Sequence, residues 1–253
     1  MTIAILSALP EEQHGLAARM SSSAGAVQQA GRSFTRGVLA GHDVVLALSG
    51  IGKVAAATTA TVLAERFGVR RVLFTGVAGG LGAGVRVGDV VVAEACLQHD
   101  MDASPLFPRH EVPLYGIARF PCDAALTAAL RQAADAVAAD AAAVFGPAVG
   151  TRYGLDRMGA HTGLLLSGDR FVSSQAASAA LRAEHPDALA VEMEAAAVAQ
   201  VCHDYRLPFA AMRTISDRAD DAAHVDFPAF LRDVAGLAAC AVVGRWLDLL
   251  SKE

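Results

Sequence analysis

The sequence predicts one α/β domain, residues 1–253, built on a largely parallel β-sheet that is covered by helices. Short apolar runs alternate with helical patterns along the chain, which is typical of βαβ units. Several of these runs, such as VVLALSG at residues 44–50, are apolar almost throughout, as expected for strands buried on both faces. We find no internal repeat and no composition break that would indicate a second domain.

The first hundred residues are expected to contain four strands and two helices. The strands are predicted at residues 2–9, 44–50, 69–76 and 89–98, and the helices at residues 11–20 and 53–67. Glycines follow two of these strands, at SGIG and GVAGGLGAG, and indicate tight turns or close approach of the backbone to a ligand.

The rest of the chain continues the alternation. Residues 123–145 are rich in Ala, which favours a helix. Further strands are predicted at residues 162–168, 188–193 and 208–216, and further helices at residues 195–205 and 227–250. Residues 100–121 contain four prolines and are expected to form an irregular surface segment, either a linker or a loop over a site.

Composition excludes several classes of protein. The net charge is −5 and no Lys/Arg cluster is interleaved with aromatic residues, so nucleic-acid binding is not expected. The N-terminus lacks a basic region and resembles a strand rather than a signal peptide. Charged residues interrupt the apolar C-terminal stretch, so no membrane span is expected. Four scattered cysteines without a CxxC pair indicate reduced thiols and a cytoplasmic location.

Two glycine-rich motifs fail the tests for cofactor loops. SGIGKVAA has Ala47 where a phosphate-binding loop needs glycine, and Val54 where it needs Ser or Thr. GVAGGLGAG contains no GxGxxG that opens a helix. The eight histidines show no HExxH or similar spacing. We therefore expect neither a cofactor nor a metal.

Acidic residues follow three of the predicted strands. Glu11 and Glu12 follow the first strand, Glu192 and Glu194 lie at the end of ALAV, and Asp217 ends PFAAMRTIS. A single acid at such a position can be a helix cap or can complement a helix dipole. Three groups at different strands favour a ligand site at the carboxyl ends of the strands.

A family resemblance makes this site specific. SALPEE, SGIGKVAAA, TGVAGGL, VGDVVVAE, SGDRFV, AVEMEAAAVAQVC and RTISDRADD occur here in the order typical of the 5′-methylthioadenosine/S-adenosylhomocysteine nucleosidases. These enzymes belong to the purine nucleoside phosphorylase superfamily. The resemblance runs from residue 1 to about residue 235 and weakens over residues 100–165. It implies a three-layer α/β/α sandwich with a central mixed sheet, and a small purine nucleoside as the ligand.

The resemblance also implies catalytic roles. Asp217 would be the general acid that protonates purine N7, because neutral adenine leaves more readily than its anion. Glu12 would be the base that activates the attacking water. Separate carboxylates would thus serve the leaving group and the nucleophile, as in inverting glycoside hydrolysis. Arg213 would orient the water and Glu194.

The remaining site residues are assigned by the same resemblance. Glu194 would bind the ribose hydroxyls and Met193 would pack on the sugar. Phe171 would stack on adenine, and the backbone of Val172 would bond to its edge. Ala78 and Gly79 would lie beside base or ribose, whereas Ile51, Phe227 and Leu9 would line the alkylthio pocket. The family is usually homodimeric, which places residues 100–115, with Phe107 and Pro113 as candidates, near the partner's site.

Hydrolysis of methylthioadenosine, and of S-adenosylhomocysteine as a second substrate, is the expected reaction, with a role in methionine salvage. The acids after the first strand and the absence of arginine from TGVAGG disfavour a phosphorylase. Val77 stands where the family often has serine, and Arg170 replaces a smaller residue. A nucleosidase for an aminofutalosine-type nucleoside, a phosphorylase and a non-catalytic nucleoside-binding protein remain alternatives.

Overall fold

The computed structural model describes residues 1–23, 25–220 and 223–251. Within them, ten strands form a single sheet. In chain order the strands are β1 Ile3–Ser7, β2 Val27–Gln29, β3 Arg32–Leu39, β4 His42–Leu48, β5 Arg71–Gly80, β6 Val90–Gln98, β7 Arg119–Pro121, β8 Ala160–Ser167, β9 Ala188–Glu192 and β10 Phe209–Asp217.

Seven α-helices are found in the same residues. They are α1 Lys53–Phe67, α2 Ala124–Ala139, α3 Ala141–Tyr153, α4 Gln175–Glu184, α5 Ala195–Tyr205, α6 Ala223–Phe230 and α7 Gly236–Leu250. A π-helical turn, Leu231–Ala235, joins the last two helices.

The sheet is mixed, with five parallel and five antiparallel strand pairings. This agrees with the family resemblance and corrects the largely parallel sheet that the strand pattern indicated. Strands β5, β10, β6, β8 and β9 close into a ring, from which β1, β4, β3 and β2 extend in that order. Two of the antiparallel pairs, β2–β3 and β3–β4, are hairpins with short connections, whereas the other three join strands that are further apart in the sequence.

Alternate residues of each central strand pack on opposite faces of the sheet. In β1, Ile3 and Ile5 belong to the apolar cluster that contains α2, α3 and α7 residues. Ala4 and Leu6 belong to the cluster that contains α1 and α5 residues. Because both faces are covered, the strand is apolar at nearly every position. The result is the predicted three-layer arrangement.

The prediction of a helix at residues 11–20 is wrong. Two 3₁₀ turns, Glu11–Gln13 and Ala17–Arg19, take its place. The Glu12 carboxylate turns back to accept hydrogen bonds from the Ala8 and Leu9 N–H groups. A continuous helix is also interrupted at Gly15, whose φ is +87°.

The other long helices form with altered bounds. The predicted helix at residues 123–145 is split at Asp140 into α2 and α3, and α3 is kinked at Gly146, before Pro147. The C-terminal segment Phe227–Leu250 is long and apolar enough to cross a membrane. Its Trp246 is fully buried and donates a hydrogen bond to the Leu126 carbonyl of α2. These contacts are those of a core helix.

The sequence analysis missed β2, β3, β7 and α4. Strands β2, β3 and β4 form a meander through two-residue turns, Ala30-Gly31 and Ala40-Gly41, in which every residue has positive φ. Ala-Gly is a weak signal for such turns, because Asn or Asp usually precedes the glycine. Ser174 caps the N-terminus of α4, and its hydroxyl accepts a hydrogen bond from the Ala177 N–H. Residues 100–118 are irregular, as predicted.

Candidate active site

A cavity of about 320 Å³ lies where the carboxyl ends of β1, β5, β9 and β10 meet. Strands β5 and β9 pair only through their last residues, which brings the acids after β9 toward the Gly-rich end of β5. All but one of the predicted site residues line the cavity: Glu12, Ile51, Ala78, Gly79, Phe171, Val172, Met193, Glu194, Asp217 and Phe227, together with Leu9. Arg213 is the exception.

Glu12 is held in one orientation by three backbone donors. Its Oε2 accepts bonds of 2.8 Å from the N–H groups of Ala8 and Leu9, and its Oε1 accepts one of 3.0 Å from Val77. Burial raises the pKa of this carboxyl, while the Arg213 charge and the three N–H groups oppose the rise. Glu12 is therefore a buried, oriented carboxylate with increased basicity, which suits a general base.

Glu194 joins the end of β9 to the turn before α1. Its Oε1 accepts a 2.8 Å bond from the Gly52 N–H, in the tight strand-to-helix turn that was predicted there. Burial raises the pKa of Glu194 from 4.5 to about 8, and the charges of Glu192 and Glu12 contribute to the rise. The Gly52 N–H and Arg213 act in the opposite direction.

Arg213 lies behind the cavity wall, with 1% of its surface exposed. Its Nη2 donates a 2.6 Å bond to Glu192 Oε2 rather than to Glu194, and its Nη1 donates to the carbonyls of Phe74 and Met212. The guanidinium also lies 4.2 Å from the centroid of the Phe74 ring. Its influence on Glu12 and Glu194 is electrostatic, through space.

Glu192 is the site residue that the sequence analysis did not assign. Its carboxylate accepts bonds from the Ser167 hydroxyl and from the N–H groups of Glu194 and Ala195, besides Arg213. It thereby links β8, β10 and the N-terminus of α5, where a negative charge is favourable. The VEMEA motif alone does not show which of the two acids pairs with Arg213, because Glu192 and Glu194 both lie at the end of the same strand.

Asp217 ends β10 and faces the cavity. Its Oδ2 accepts a 2.7 Å bond from the Ser216 hydroxyl, and its Oδ1 accepts a 2.7 Å bond from the Ala219 N–H. A register irregularity between Ile215 and Asp217 marks this end of the strand. Such irregularities re-aim a side chain near a site, here toward the cavity.

Apolar side chains form another part of the cavity wall. Phe171 and Phe227 meet edge to face at 5.6 Å, and Val77 also lines the cavity. Ile51 is 56% exposed and Phe171 46% exposed, so one side of the cavity is open to the surface. Arg170, the other departure from the family pattern, lies at this exposed rim.

A polar clamp of Lys53, Asp100 and Asp169 fixes the loops beside this wall. Lys53 Nζ is 2.6 Å from Asp100 Oδ1, and Asp100 Oδ2 accepts a 2.8 Å bond from the Asp169 N–H. Asp169 Oδ1 in turn accepts a 2.8 Å bond from the Lys53 N–H. The clamp ties the turn that donates to Glu194 to the loop that carries Phe171.

Comparisons with known proteins agree with this geometry. The model of the phosphorylase superfamily matches residues 2–246. A 5′-methylthioadenosine/S-adenosylhomocysteine nucleosidase of Shewanella denitrificans is 34% identical over 98% of this chain and 100% of its own length. The crystal structure of the Neisseria meningitidis nucleosidase with methylthio-immucillin-A is 38% identical, with a TM-score of 0.84 over 98% of this chain and 99% of that one.

A solved structure of an enzyme with a different name aligns with this chain over a similar length. The futalosine hydrolase of Helicobacter pylori is 30% identical, with a TM-score of 0.83 over 98% of both chains. The fold and the acids at the strand ends thus define a member of the phosphorylase superfamily. Within it, the chain belongs to the family of 5′-methylthioadenosine/S-adenosylhomocysteine nucleosidases.

Replacing Gly76 by Ala is expected to destabilise the chain by about 1–3 kcal/mol, the usual range for overpacking. A Cβ at this position would lie 2.7 Å from Glu12 Oε1 and would push the carboxylate off its N–H donors. Urea unfolding measures the effect. Gly84→Ala is the control, because no atom lies within 4 Å of its added Cβ. The cost should shrink in a Glu12→Ala background; an equal cost in both backgrounds would contradict the explanation.

The free energy of unfolding should depend on Glu194 between pH 4.5 and about 8. The folded chain keeps a proton on this carboxyl that the unfolded chain releases above about 4.5. Stability contributed by this group therefore falls as the pH rises through that window. Glu194→Gln should remove the fall, so the variant gains stability relative to the wild type from pH 5 to pH 8 in urea titrations. Glu11→Gln, an exposed acid nearby, is the control; parallel curves for wild type and Glu194→Gln would refute the prediction.

Proposed function

We propose that this chain hydrolyses the N-glycosidic bond of 5′-methylthioadenosine, releasing adenine and 5-methylthioribose, with S-adenosylhomocysteine as a second substrate. The observation that carries the proposal is Glu12. A buried carboxylate, oriented by three N–H groups in a cavity of nucleoside size, is suited to activate a water molecule. The Shewanella denitrificans and Neisseria meningitidis relatives carry the corresponding name.

Asp217 acts as the acid on the leaving group. Its carboxyl transfers a proton to purine N7 while the bond between C1′ and N9 breaks, so that adenine departs as a neutral molecule. The Ala219 N–H and the Ser216 hydroxyl hold the carboxyl in place. Phe171 stacks on the purine, and the backbone of Val172 bonds to its edge.

Glu12 acts as the base on the nucleophile. It removes a proton from the water that adds to C1′, on the face opposite the departing purine, and positive charge develops on the ribose in between. Glu194 accepts hydrogen bonds from the ribose hydroxyls, and Met193 packs on the sugar. Arg213 balances the negative charge of three glutamates from behind the wall.

Hydrolysis is favoured over phosphorolysis by the charge around the nucleophile. Glu12, Glu192 and Glu194 all line the cavity. Any of these carboxyl groups that is ionised repels a phosphate ion, and none of them can form an ion pair with it. Arg213 is engaged with Glu192. A water molecule meets no such repulsion and requires a base.

A nucleosidase for an aminofutalosine-type nucleoside is the second candidate. The Helicobacter pylori neighbour is named a futalosine hydrolase and superimposes as well as the methylthioadenosine nucleosidases do. The two activities need the same acid and base. They differ at the 5′ substituent, which Ile51, Leu9 and Phe227 would contact.

We further propose a homodimer located in the cytoplasm, with a role in methionine salvage. Large apolar side chains are exposed beside the open rim of the cavity and in residues 100–115: Ile51 56%, Val54 79%, Leu106 84% and Leu114 90%. Exposed apolar side chains of this size become buried when a partner subunit covers them. Phe107 and Pro113 are half-buried and would close the alkylthio pocket of the partner.

Asp217→Asn should lower adenine release by about 100- to 10 000-fold, the usual contribution of a general acid. Purified variant and wild type are compared with methylthioadenosine, S-adenosylhomocysteine and an aminofutalosine-type nucleoside, with and without phosphate. Asp43→Asn, an exposed acid, is the control, and circular dichroism checks the fold.

Each other activity has its own result in this assay. Strict dependence on phosphate, with the 5′-substituted ribose-1-phosphate as product, would establish a phosphorylase. Release of adenine from the aminofutalosine-type nucleoside alone would favour the second candidate. Binding without release in the wild type would indicate a nucleoside-binding protein. Near-normal activity of Asp217→Asn would refute the assignment of the acid.

The double variant Val54→Asp, Leu114→Asp should be monomeric where the wild type is dimeric, because charges desolvated in an apolar interface are costly. Sedimentation velocity measures the mass of each protein. Leu237→Asp is the control, since Leu237 is 44% exposed on α7, away from these segments in sequence. A wild type that sediments as a monomer would end the dimer proposal.

A further inference from the structure

A cluster of His110, Glu184 and His185 lies where the irregular segment 100–118 meets the end of α4. Each of the three residues offers one ligand atom, and these atoms all lie within 4.8 Å of one another. His110 Nε2 is 2.8 Å from Glu184 Oε1, and the His110 and His185 rings are 4.8 Å apart between centroids. None of the three residues lines the candidate active site.

The two imidazoles are buried with unused nitrogens. His110 is 8% exposed and His185 5% exposed. Among the described residues, His110 Nδ1 and His185 Nε2 have no hydrogen-bond partner. A buried polar atom without a partner costs free energy comparable to a lost hydrogen bond. Hydrogen bonding within the described part of the protein therefore leaves one nitrogen of each ring unsatisfied.

We propose that His110, His185 and Glu184 form a binding site for a divalent transition-metal ion of the Zn²⁺ class. Two imidazoles and one carboxylate are a donor set that zinc accepts, with water as the fourth ligand. Ligand atoms of a tetrahedral zinc ion lie about 3.3 Å apart, from bond lengths of about 2.0–2.1 Å. The present separation of 2.8 Å between His110 Nε2 and Glu184 Oε1 would have to open by about 0.5 Å, and the other separations, at most 4.8 Å, would have to close by up to about 1.5 Å.

The Arg109 side chain would compete with a metal ion for the Glu184 carboxylate. Arg109 Nη1 is 2.8 Å from Glu184 Oε1, while Arg109 Nε is 3.7 Å from Asp102 Oδ2. The Arg109 side chain is 56% exposed, so it can move into solvent or toward Asp102 when a metal ion binds. This competition predicts that removal of Arg109 strengthens metal binding.

The site would fasten one segment of the chain to another. His110 belongs to the irregular segment 100–118, whereas Glu184 and His185 end α4. The same region includes His99, whose ring occupies the space beside Gly168, shortly before Phe171. A bound ion would reduce the mobility of the segment that packs beside the substrate loop, without taking part in the chemistry.

The test is direct metal binding to the chelator-treated full chain, titrated with Zn²⁺ against a chromophoric chelator and with Co²⁺ by visible absorption. The wild type should bind one ion per chain, with the ligand-field bands of tetrahedral Co²⁺. His185→Asn and Glu184→Gln should weaken binding at least tenfold. His110→Asn should do the same, and Asn tolerates the His110 φ of +67°.

Arg109→Gln should bind Zn²⁺ several times more tightly than the wild type. His161→Asn is the matched control, because His161 is also bonded to a carboxylate, Asp89, at 2.8 Å but belongs to no such cluster. Zn²⁺ should raise the melting temperature of wild type and His161→Asn, and not that of His185→Asn. Melting temperatures without metal verify that the variants fold.

Two results would overturn the proposal. One is the absence of stoichiometric Zn²⁺ binding by the wild type. The other is equal affinity in wild type, His110→Asn and His185→Asn, which would assign the bound ion to other surface groups. Both results are independent of whether the chain releases adenine from any nucleoside.

Discussion

The buried ion pair between Arg213 and Glu192 is the interaction on which the site depends. Removing two charges from water is expensive, and their attraction compensates only when the geometry is good and the remaining donors and acceptors are satisfied. Here Glu192 also accepts hydrogen bonds from the Ser167 hydroxyl and from the N–H groups of Glu194 and Ala195, and the Ala195 N–H is shared between both carboxylate oxygens. The guanidinium lies over the Phe74 ring. The pair thereby joins β8, β9, β10 and the start of α5 at one point.

This arrangement leaves Arg213 paired with one carboxylate while two other carboxyl groups line the cavity. The Arg213 charge only partly offsets the effect of burial, which raises the pKa of Glu12 and of Glu194. Burial thus increases the basicity of Glu12, and the guanidinium that is bonded to Glu192 is not free to hold an anionic nucleophile. The same buried pair therefore supports the architecture and selects water over phosphate in the proposed reaction.

Sequence patterns located the elements of the buried sheet well, because strands covered on both faces must be apolar at most positions. They failed where local structure depends on distant partners. Residues 11–20 have helical composition, but the Glu12 carboxylate bonds to Ala8, Leu9 and Val77, and two 3₁₀ turns result. Strands β2 and β3 are partly exposed, and their Ala-Gly turns carry little signal.

The sequence alone determined the alternation of strands and helices, the acids at the strand ends and, through motif order, the family. The strand pattern placed Glu12, Glu194 and Asp217 near one another, because the carboxyl ends of neighbouring strands meet at one place. The other residues that line the cavity were assigned through the family resemblance, and the roles of all of them in the reaction stay predictions. Only the tertiary structure decided which carboxylate neutralises Arg213. Glu192 and Glu194 are two residues apart on one strand end, and their roles differ because one meets β8 and β10 while the other meets the Gly52 turn.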